Sequence, residues 1–177
     1  MADFEFDQVY RDTKELVWKL VSRYVFTRED REDLFQEIFL NIYSALPKFR
    51  GDSRVNTWLY RIAVNCSINY VKKQGRIRRL LRILEGLRLI EESPPAEIAE
   101  VSVPLAKLNP QQRMVLLLAE VEEKPLEEIA QTMGIPVGTV KSNLHRAKEI
   151  IKKEVRKDGS VFQLYPEILS RIRVTRS

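Results

Sequence analysis

Apolar side chains recur at threes and fours near the start of the chain, at Phe6, Val9, Leu16, Val17, Leu20, Val21 and Tyr24. That period places them on one face of an amphipathic helix. Thr27 to Asp33 is a charged connector in which Thr27 or Asp30 can cap the next helix. A wide stripe follows: Leu34, Phe35, Ile38, Phe39, Ile42, Tyr43 and Leu46, with Asp33, Gln36, Glu37 and Asn41 off it. Pro47 is predicted to end this helix, because proline lacks the backbone donor and clashes with the preceding turn. Lys48 to Ser53 reads as a loop around a Gly51-Asp52 turn. A third helix, starting at Ser53 or Asn56, carries Val55, Trp58, Leu59, Ile62, Cys66, Ile68 and Tyr70. Three such helices can bury one another's stripes, so residues 1–74 are predicted to form a first domain.

From Gly75 the pattern changes. Arg76, Arg78, Arg79 and Arg82 follow Lys72 and Lys73 with no acid until Glu85, and five glutamates and Ser93-Pro94-Pro95 come next. Residues 75–102 read as a flexible linker, with room for a helix over Ile77 to Ile90. Periodicity resumes near Pro104. Asn109-Pro110 is a capping residue followed by proline at the first helical position, and Gln111 to Glu120 has Val115, Leu116 and Leu118 in its core. Pro125 to Met133 is a short helix, Gly134-Ile135-Pro136 a turn, and Val137 to Arg156 the longest helix of this half, ended by Asp158-Gly159. The predicted fold is all-α: two small helical domains, 1–74 and 103–157, joined by the linker, the second containing a helix-turn-helix. A tail over 158–177 has an apolar pattern broken by Pro166.

Composition narrows the chemistry. The 177 residues are 44% hydrophobic and carry 30 Lys+Arg against 25 Asp+Glu, a net charge of +5. Wholesale disorder does not fit that apolar content. Cys66 and His145 stand alone in their residue types, which excludes a disulfide scaffold and leaves too few ligands for a structural zinc site. Neither GxxxxGK[ST] nor GxGxxG occurs. No run approaches the roughly 18 apolar residues of a membrane span, and the acidic start Met1-Ala2-Asp3-Phe4-Glu5 has the wrong sign for a signal peptide. The expectation is a cytoplasmic protein that holds no cofactor, contacts no membrane itself and binds something acidic. Cys66 reads as a small hydrophobe in helix packing, with a redox-sensitive thiol as the alternative.

The segment Leu126 to Val140 has the internal logic of a helix-turn-helix. Ala130 is small where two helices cross, Gly134 stands where the chain must leave the first helix, and Val140 is apolar where the second packs back. The following helix is predicted to expose Lys141, Ser142, Asn143, His145, Arg146, Lys148 and Glu149 and to bury Val140, Leu144, Ala147 and Ile151. A helix fits the major groove of B-DNA and can reach base edges there. The plainer reading is a helical hairpin with a solvated basic face. His145 is either an idle surface side chain or a contact to phosphate or a base edge.

In the first half, Phe49, Trp58 and Tyr60 surround a polar loop, Arg50-Gly51-Asp52-Ser53-Arg54. Asn65 and Asn69 follow Trp58 by seven and eleven positions and so share its helical face. With Arg54, Arg61, Lys72 and Lys73 nearby, such a group can hold an unstacked base by stacking and edge hydrogen bonds. Taken alone, these residues favour the plainer reading, with Trp58 and Phe49 in the core and Asn65 a satisfied polar group.

The runs Asp33-Leu34-Phe35-Gln36-Glu37-Ile38-Phe39-Leu40-Asn41-Ile42-Tyr43 and Phe49 to Asn65 resemble region 2 of the extracytoplasmic-function sigma factors of the sigma-70 family. Pro136-Val137-Gly138-Thr139-Val140-Lys141-Ser142-Asn143-Leu144-His145-Arg146-Ala147 resembles their region 4.2. The two sets occur in the family's order and spacing and cover about 120 of the 177 residues. The resemblance implies a promoter-specificity subunit without catalytic chemistry. Asp33, Gln36, Glu37 and Asn41 would dock on the beta-prime coiled coil of core RNA polymerase. Phe49, Arg54, Asn56, Trp58, Arg61, Asn65, Asn69, Lys72 and Lys73 would serve minus-10 recognition, capturing a flipped base. Thr139, Lys141, Ser142, Asn143, His145, Arg146 and Lys148 would read the minus-35 duplex. The linker would run through the core enzyme, beta subunit included, toward the RNA exit path. An anti-sigma factor covering both polymerase-binding domains is expected on the same ground. The chain departs from the family at Asn143, where a second Arg is frequent, and near His145, where a basic or bulky residue is frequent, so a minus-35 preference does not transfer. The main rival is a helix-turn-helix regulator acting without polymerase; a nucleic-acid-modifying enzyme and an interaction-only helical protein are weaker, and no small-molecule substrate is indicated.

Overall fold

The first helix, α1, spans Phe6–Tyr24 and buries Val9, Thr13, Val17, Leu20, Val21 and Tyr24, spaced three and four apart. In this computed structural model the described residues are 5–49, 54–84 and 103–157; side chains at 81–84, 103–104 and 155–157 are not described. All regular structure among the described residues is helical. The chain divides into two compact units at Arg76–Ile77.

Helix α2, Arg28–Ala45, packs on α1. Its start is fixed by Thr27, whose Oγ1 accepts from the Asp30 backbone N–H at 3.1 Å and donates to Asp30 Oδ2 at 2.8 Å. The other Asp30 oxygen accepts from the Tyr70 hydroxyl at 3.0 Å. That bond joins the first turn of α2 to the middle of α3, Val55–Leu84. Burial, helped by the Asp30 carboxylate, pushes the Tyr70 phenol well above its ordinary value. A short 3-10 turn at Leu46–Lys48 contains Pro47, and α2 stops just before it. The core of this unit holds Leu20, Val21 and Tyr24 from α1, Leu34, Ile38 and Ile42 from α2, and Leu59, Ala63 and Val64 from α3.

Two positions on the predicted stripes lie outside. Leu16 is exposed, and buried Thr13 occupies the inner face instead, its hydroxyl donating to the Val9 carbonyl at 2.7 Å. Tyr43 is 62% exposed and meets Phe6 edge-on, with ring centroids 5.2 Å apart. The larger departure is α3 itself. It runs through Gly75 to Leu84, so the start expected for the linker is helical. A mid-helix glycine costs about 1 kcal/mol relative to alanine, but its neighbours Lys72, Lys73, Gln74, Arg76, Arg78 and Arg79 are good helix formers. The predicted helix over Ile77 to Ile90 is realised as the end of α3 through Leu84; the remainder lies outside the described residues.

In the second unit, α4 (Val103–Ala106) and α5 (Pro110–Glu120) are joined through Asn109. Asn109 Oδ1 accepts from the Gln112 N–H at 2.9 Å, and Gln112 Oε1 accepts from the Asn109 N–H at 3.1 Å, a reciprocal cap with Pro110 at the first helical position. Helix α5 is buried on nearly every side, Met114 to Leu118 included, as suits a helix with neighbours around it. It packs on α6, Leu126–Met133, and on α7, Val137–Lys157. Buried Arg113 donates from Nε to the Leu105 carbonyl at 3.1 Å, tying α4 to α5. Gly134 ends α6 at φ 66°, and the Ile135 N–H returns to the Ala130 carbonyl at 3.1 Å. A Cβ at Gly134 would meet nothing within 4 Å, so the glycine serves the dihedral and not the space. The Asp158-Gly159 stop and the tail 158–177 lie outside the described residues.

Candidate nucleic-acid interface

Helix α7 starts straight after the α6 turn, with the Thr139 and Val140 N–H groups bonded to the Pro136 carbonyl. Val140, Asn143, Ala147 and Ile151 form its buried edge. The inner face is therefore rotated from the one the sequence suggests: Leu144 is only half-buried, and Asn143 is 8% exposed. Asn143 is therefore an interior residue and not the surface position expected from the sequence. Lys141, Ser142, His145 and Arg146 stand on the outside, and Thr139 is half-buried. The Ser142 hydroxyl donates to the Thr139 carbonyl at 3.0 Å.

Lys148 also differs from the expected exposed cation. Its ammonium lies 2.7 Å from Glu120 Oε1 on α5, with Lys148 28% and Glu120 8% exposed at the side chain. The cation is committed to a carboxylate inside its own unit. Periodicity within α7 could not show this, because the partner sits on another helix. Lys152 pairs with Glu149 at 2.9 Å on the surface, as a helical i,i+3 pair.

In the first unit, Trp58 is half-buried against Phe49, ring centroids 4.9 Å apart at 44°. It is neither fully core nor free. Arg54, Asn56, Arg61, Asn65, Asn69, Lys72 and Lys73 are all exposed along or just before α3, and residues 50–53 of the loop lie outside the described residues. Helix α3 contains seven cations and not one carboxylate over its 30 residues. Helix α2 is the opposite, with Glu29, Asp30, Glu32, Asp33 and Glu37 against Arg28 and Arg31. A polyanion is thus favoured along α3 and repelled along α2.

The outer face of α2 brings Asp33, Gln36 and Asn41 to the surface, with Glu37 half-buried beside them. Asn41 donates from Nδ2 to the Glu37 carbonyl at 2.8 Å. Leu40, 67% exposed, stands among them and was missed by the sequence reading. Its signal was an apolar residue one turn after Gln36 and off the buried stripe. Cys66 is half-buried, and burial together with the Glu37 carboxylate pushes its thiol up to about 11, leaving it protonated at neutral pH. Among the described residues no His, Cys, Asp and Glu group could hold a metal, and no helix is long and apolar enough to cross a membrane.

Comparison with known proteins gives this arrangement its context. Residues 9–77 match the family described as Sigma-70 region 2, and residues 105–151 match Sigma-70, region 4. The chain is 38% identical over 156 residues to the ECF RNA polymerase sigma-E factor of Escherichia coli K12, covering 79% of this chain and 81% of that protein. This chain belongs to the extracytoplasmic-function sigma factors of the sigma-70 family. It is also 34% identical over 166 residues to the RNA polymerase sigma-H factor of Pseudomonas aeruginosa PAO1, covering 85% of this chain and 86% of that one. Two solved structures share the fold. The sigma factor RpoE of Bartonella quintana, in complex with the anti-sigma factor NepR, gives a TM-score of 0.62 at 20% identity over 86% of this chain and 98% of that one. CnrH in complex with the cytosolic domain of CnrY gives 0.60 at 24% identity over 86% and 88%. The sigma factor therefore acts in transcription initiation, and the rival of a regulator working without polymerase is not favoured. The helix-turn-helix over α6 and α7 falls inside the matched region 4.

Proposed function

We propose that this sigma factor binds core RNA polymerase through the outer face of α2, captures a flipped minus-10 base beside Trp58, and reads the minus-35 duplex with the outer face of α7. The observation that carries the reading is the charge division of the first unit: an acid-rich α2 next to an acid-free α3 that presents a half-buried tryptophan on Phe49. Asp33, Gln36, Glu37, Leu40 and Asn41 supply a mixed apolar and acidic patch for the beta-prime coiled coil. Trp58 supplies a stacking face, and Arg54, Asn56, Arg61, Asn65, Asn69, Lys72 and Lys73 supply donors and charge along one strand. Extruding a base costs a few kcal/mol, and the pocket offsets that by stacking and edge hydrogen bonds.

In the second unit Lys141, Ser142, His145 and Arg146 face the groove, with Thr139 at its start. Asn143 and Lys148 act from within, holding the helix at its angle. Residues 103–157 then form the minus-35 domain, following the linker. The two domains act together through raised effective concentration, so each can bind weakly alone. The protein works in the cytoplasm with core polymerase, beta-prime and beta subunits, and promoter DNA. The complexes of its structural relatives with NepR and CnrY support an anti-sigma partner here too. No catalytic step is assigned to the chain, and the chemistry belongs to the polymerase.

In vitro transcription with core polymerase across genome fragments tests the proposal. Start sites dependent on this chain are expected, and Trp58→Ala should leave minus-35 duplex binding intact while abolishing permanganate reactivity of the bubble. Undiminished reactivity would remove Trp58 from the pocket.

A further inference from the structure

Away from its buried stripe, α1 carries two adjacent rows at a spacing of four, Lys14-Trp18-Ser22 and Glu15-Lys19-Arg23. With Phe35 of α2 they line an open cavity of about 590 Å³, large enough for a small ligand. Phe35 meets Trp18 nearly at right angles, ring centroids 5.4 Å apart at 80°, and fixes the plane of an indole that is 42% exposed. Ser22, the smallest side chain of the lining, leaves room beside that ring. Among the described residues Lys14, Lys19 and Arg23 make no ion pair, and neither the indole N–H nor the Ser22 hydroxyl has a hydrogen-bond partner. The positive stretch is short, about 14 Å from Lys14 to Arg23 at a rise of about 1.5 Å per residue. The turns of α1 before it hold Asp7 and Asp12 against Arg11, and α2 alongside is acid-rich.

We propose that this cavity is a binding site for a nucleoside polyphosphate, which stacks its base on Trp18 and lays its phosphates on Lys19 and Arg23. An open aromatic face holds any base, because every base has a π surface. Lys19 and Arg23, one turn apart, supply two cations for a chain of phosphates, and the Ser22 hydroxyl beside them supplies a donor. Glu15 precedes Lys19 by one turn, where its carboxylate accepts from ribose hydroxyls and turns a bare polyphosphate away. Lys14, on the other side of the indole, adds to the positive field. The short positive stretch selects for size. A mononucleotide fits within it, whereas a nucleic-acid strand or an acidic protein segment runs on into Asp7, Asp12 or the carboxylates of α2. The cavity shares no lining residue with the base pocket at Trp58 and does not depend on that assignment. Its ligand class is that of the polymerase's own substrates, so occupancy follows their concentration.

Equilibrium dialysis of the full chain against radiolabelled ATP reads this site. Saturable binding of one ATP per chain is expected, with adenosine and inorganic tripolyphosphate each about tenfold weaker or more. Trp18→Ala should raise the dissociation constant about tenfold, as for the loss of one base stack. Lys19→Gln combined with Arg23→Gln should raise it by a similar factor through the phosphates, and leaves the core untouched because neither side chain is buried. That double variant carries the test even where Trp18→Ala loosens α1. Absence of saturable binding at millimolar ATP would overturn the proposal, and so would wild-type affinity in the double variant. Equal binding of tripolyphosphate would reduce the site to a cationic patch and overturn it as a nucleotide site. A loss with Trp58→Ala would move the nucleotide to the base pocket, and displacement of ATP by a tighter-binding thymidine oligonucleotide would make the groove a single-strand site. Either result would equally sink the assignment.

Discussion

Lys148 is the residue at which a surface reading and the observed structure diverge most, and its replacement gives a quantitative test. Lys148→Ala strips the ammonium from Glu120, whose side chain is 8% exposed. Exposed ion pairs contribute about 0.2–1 kcal/mol, and removing one partner of a fully buried pair costs about 3–5 kcal/mol. With Lys148 28% exposed, solvent screens part of the interaction, and a loss of about 2 kcal/mol is expected. At about 1.4 kcal/mol per decade, that is roughly a thirtyfold fall in the protection of α5 and α7 amides by hydrogen exchange on the full chain. Glu120→Gln combined with Lys148→Met should recover most of it, since no buried charge is left unmatched. The salt dependence of minus-35 binding by holoenzyme should keep its slope in Lys148→Ala, whereas Arg146→Ala should lower it by about 0.9 if Arg146 takes one phosphate. Unchanged exchange together with a slope lowered by one phosphate would refute the internal role and return Lys148 to the DNA face.

Leu40→Asp should lower affinity for core polymerase in a pull-down with little change in thermal stability, because the side chain is 67% exposed; wild-type retention would remove α2 from the docking face. Gly134→Ala should destabilise the second unit by about 1–2 kcal/mol through its φ of 66°, with Gly134→Asn milder; equal stability in denaturant melts would contradict the left-handed cap. Cys66 should react slowly with iodoacetamide at neutral pH. Its folded value, about 11, exceeds the unfolded value of 9.0, so the unfolded chain releases the proton first and stability falls as pH rises from 9 toward 11. Cys66→Ala should flatten that fall, and an unchanged profile would dissociate it from the thiol.

Much of the helical plan was legible because local signals agreed with the periodicity. Thr27, Pro47, Asn109-Pro110 and Gly134 mark ends that depend on a few adjacent atoms. What stayed hidden depends on distant partners or on rotational phase. Asn143 and Leu144 are 100° apart, and which of them turns inward is decided by α5 and α6 and not by α7. The Lys148–Glu120 pair joins residues 28 positions apart. Leu16 and Tyr43 lie on stripes wider than the surfaces available to cover them. The linker is expected from Gly75 because the charge pattern changes there, yet α3 runs on to Leu84, the one weak helix former being outweighed by strong flanks. The candidate site was legible in residue type but not in degree of burial: half-burial of Trp58 on Phe49 is a property of the assembled unit.

The carboxylate of Asp30 has two oxygens with two assignments, one at the Thr27 cap and one at the Tyr70 phenol. Fraying of the opening turn of α2 therefore withdraws the acceptor from the Tyr70 hydroxyl at the middle of α3. On the proposed reading, the polymerase-docking helix and the base-gripping helix are tied to each other through this one side chain.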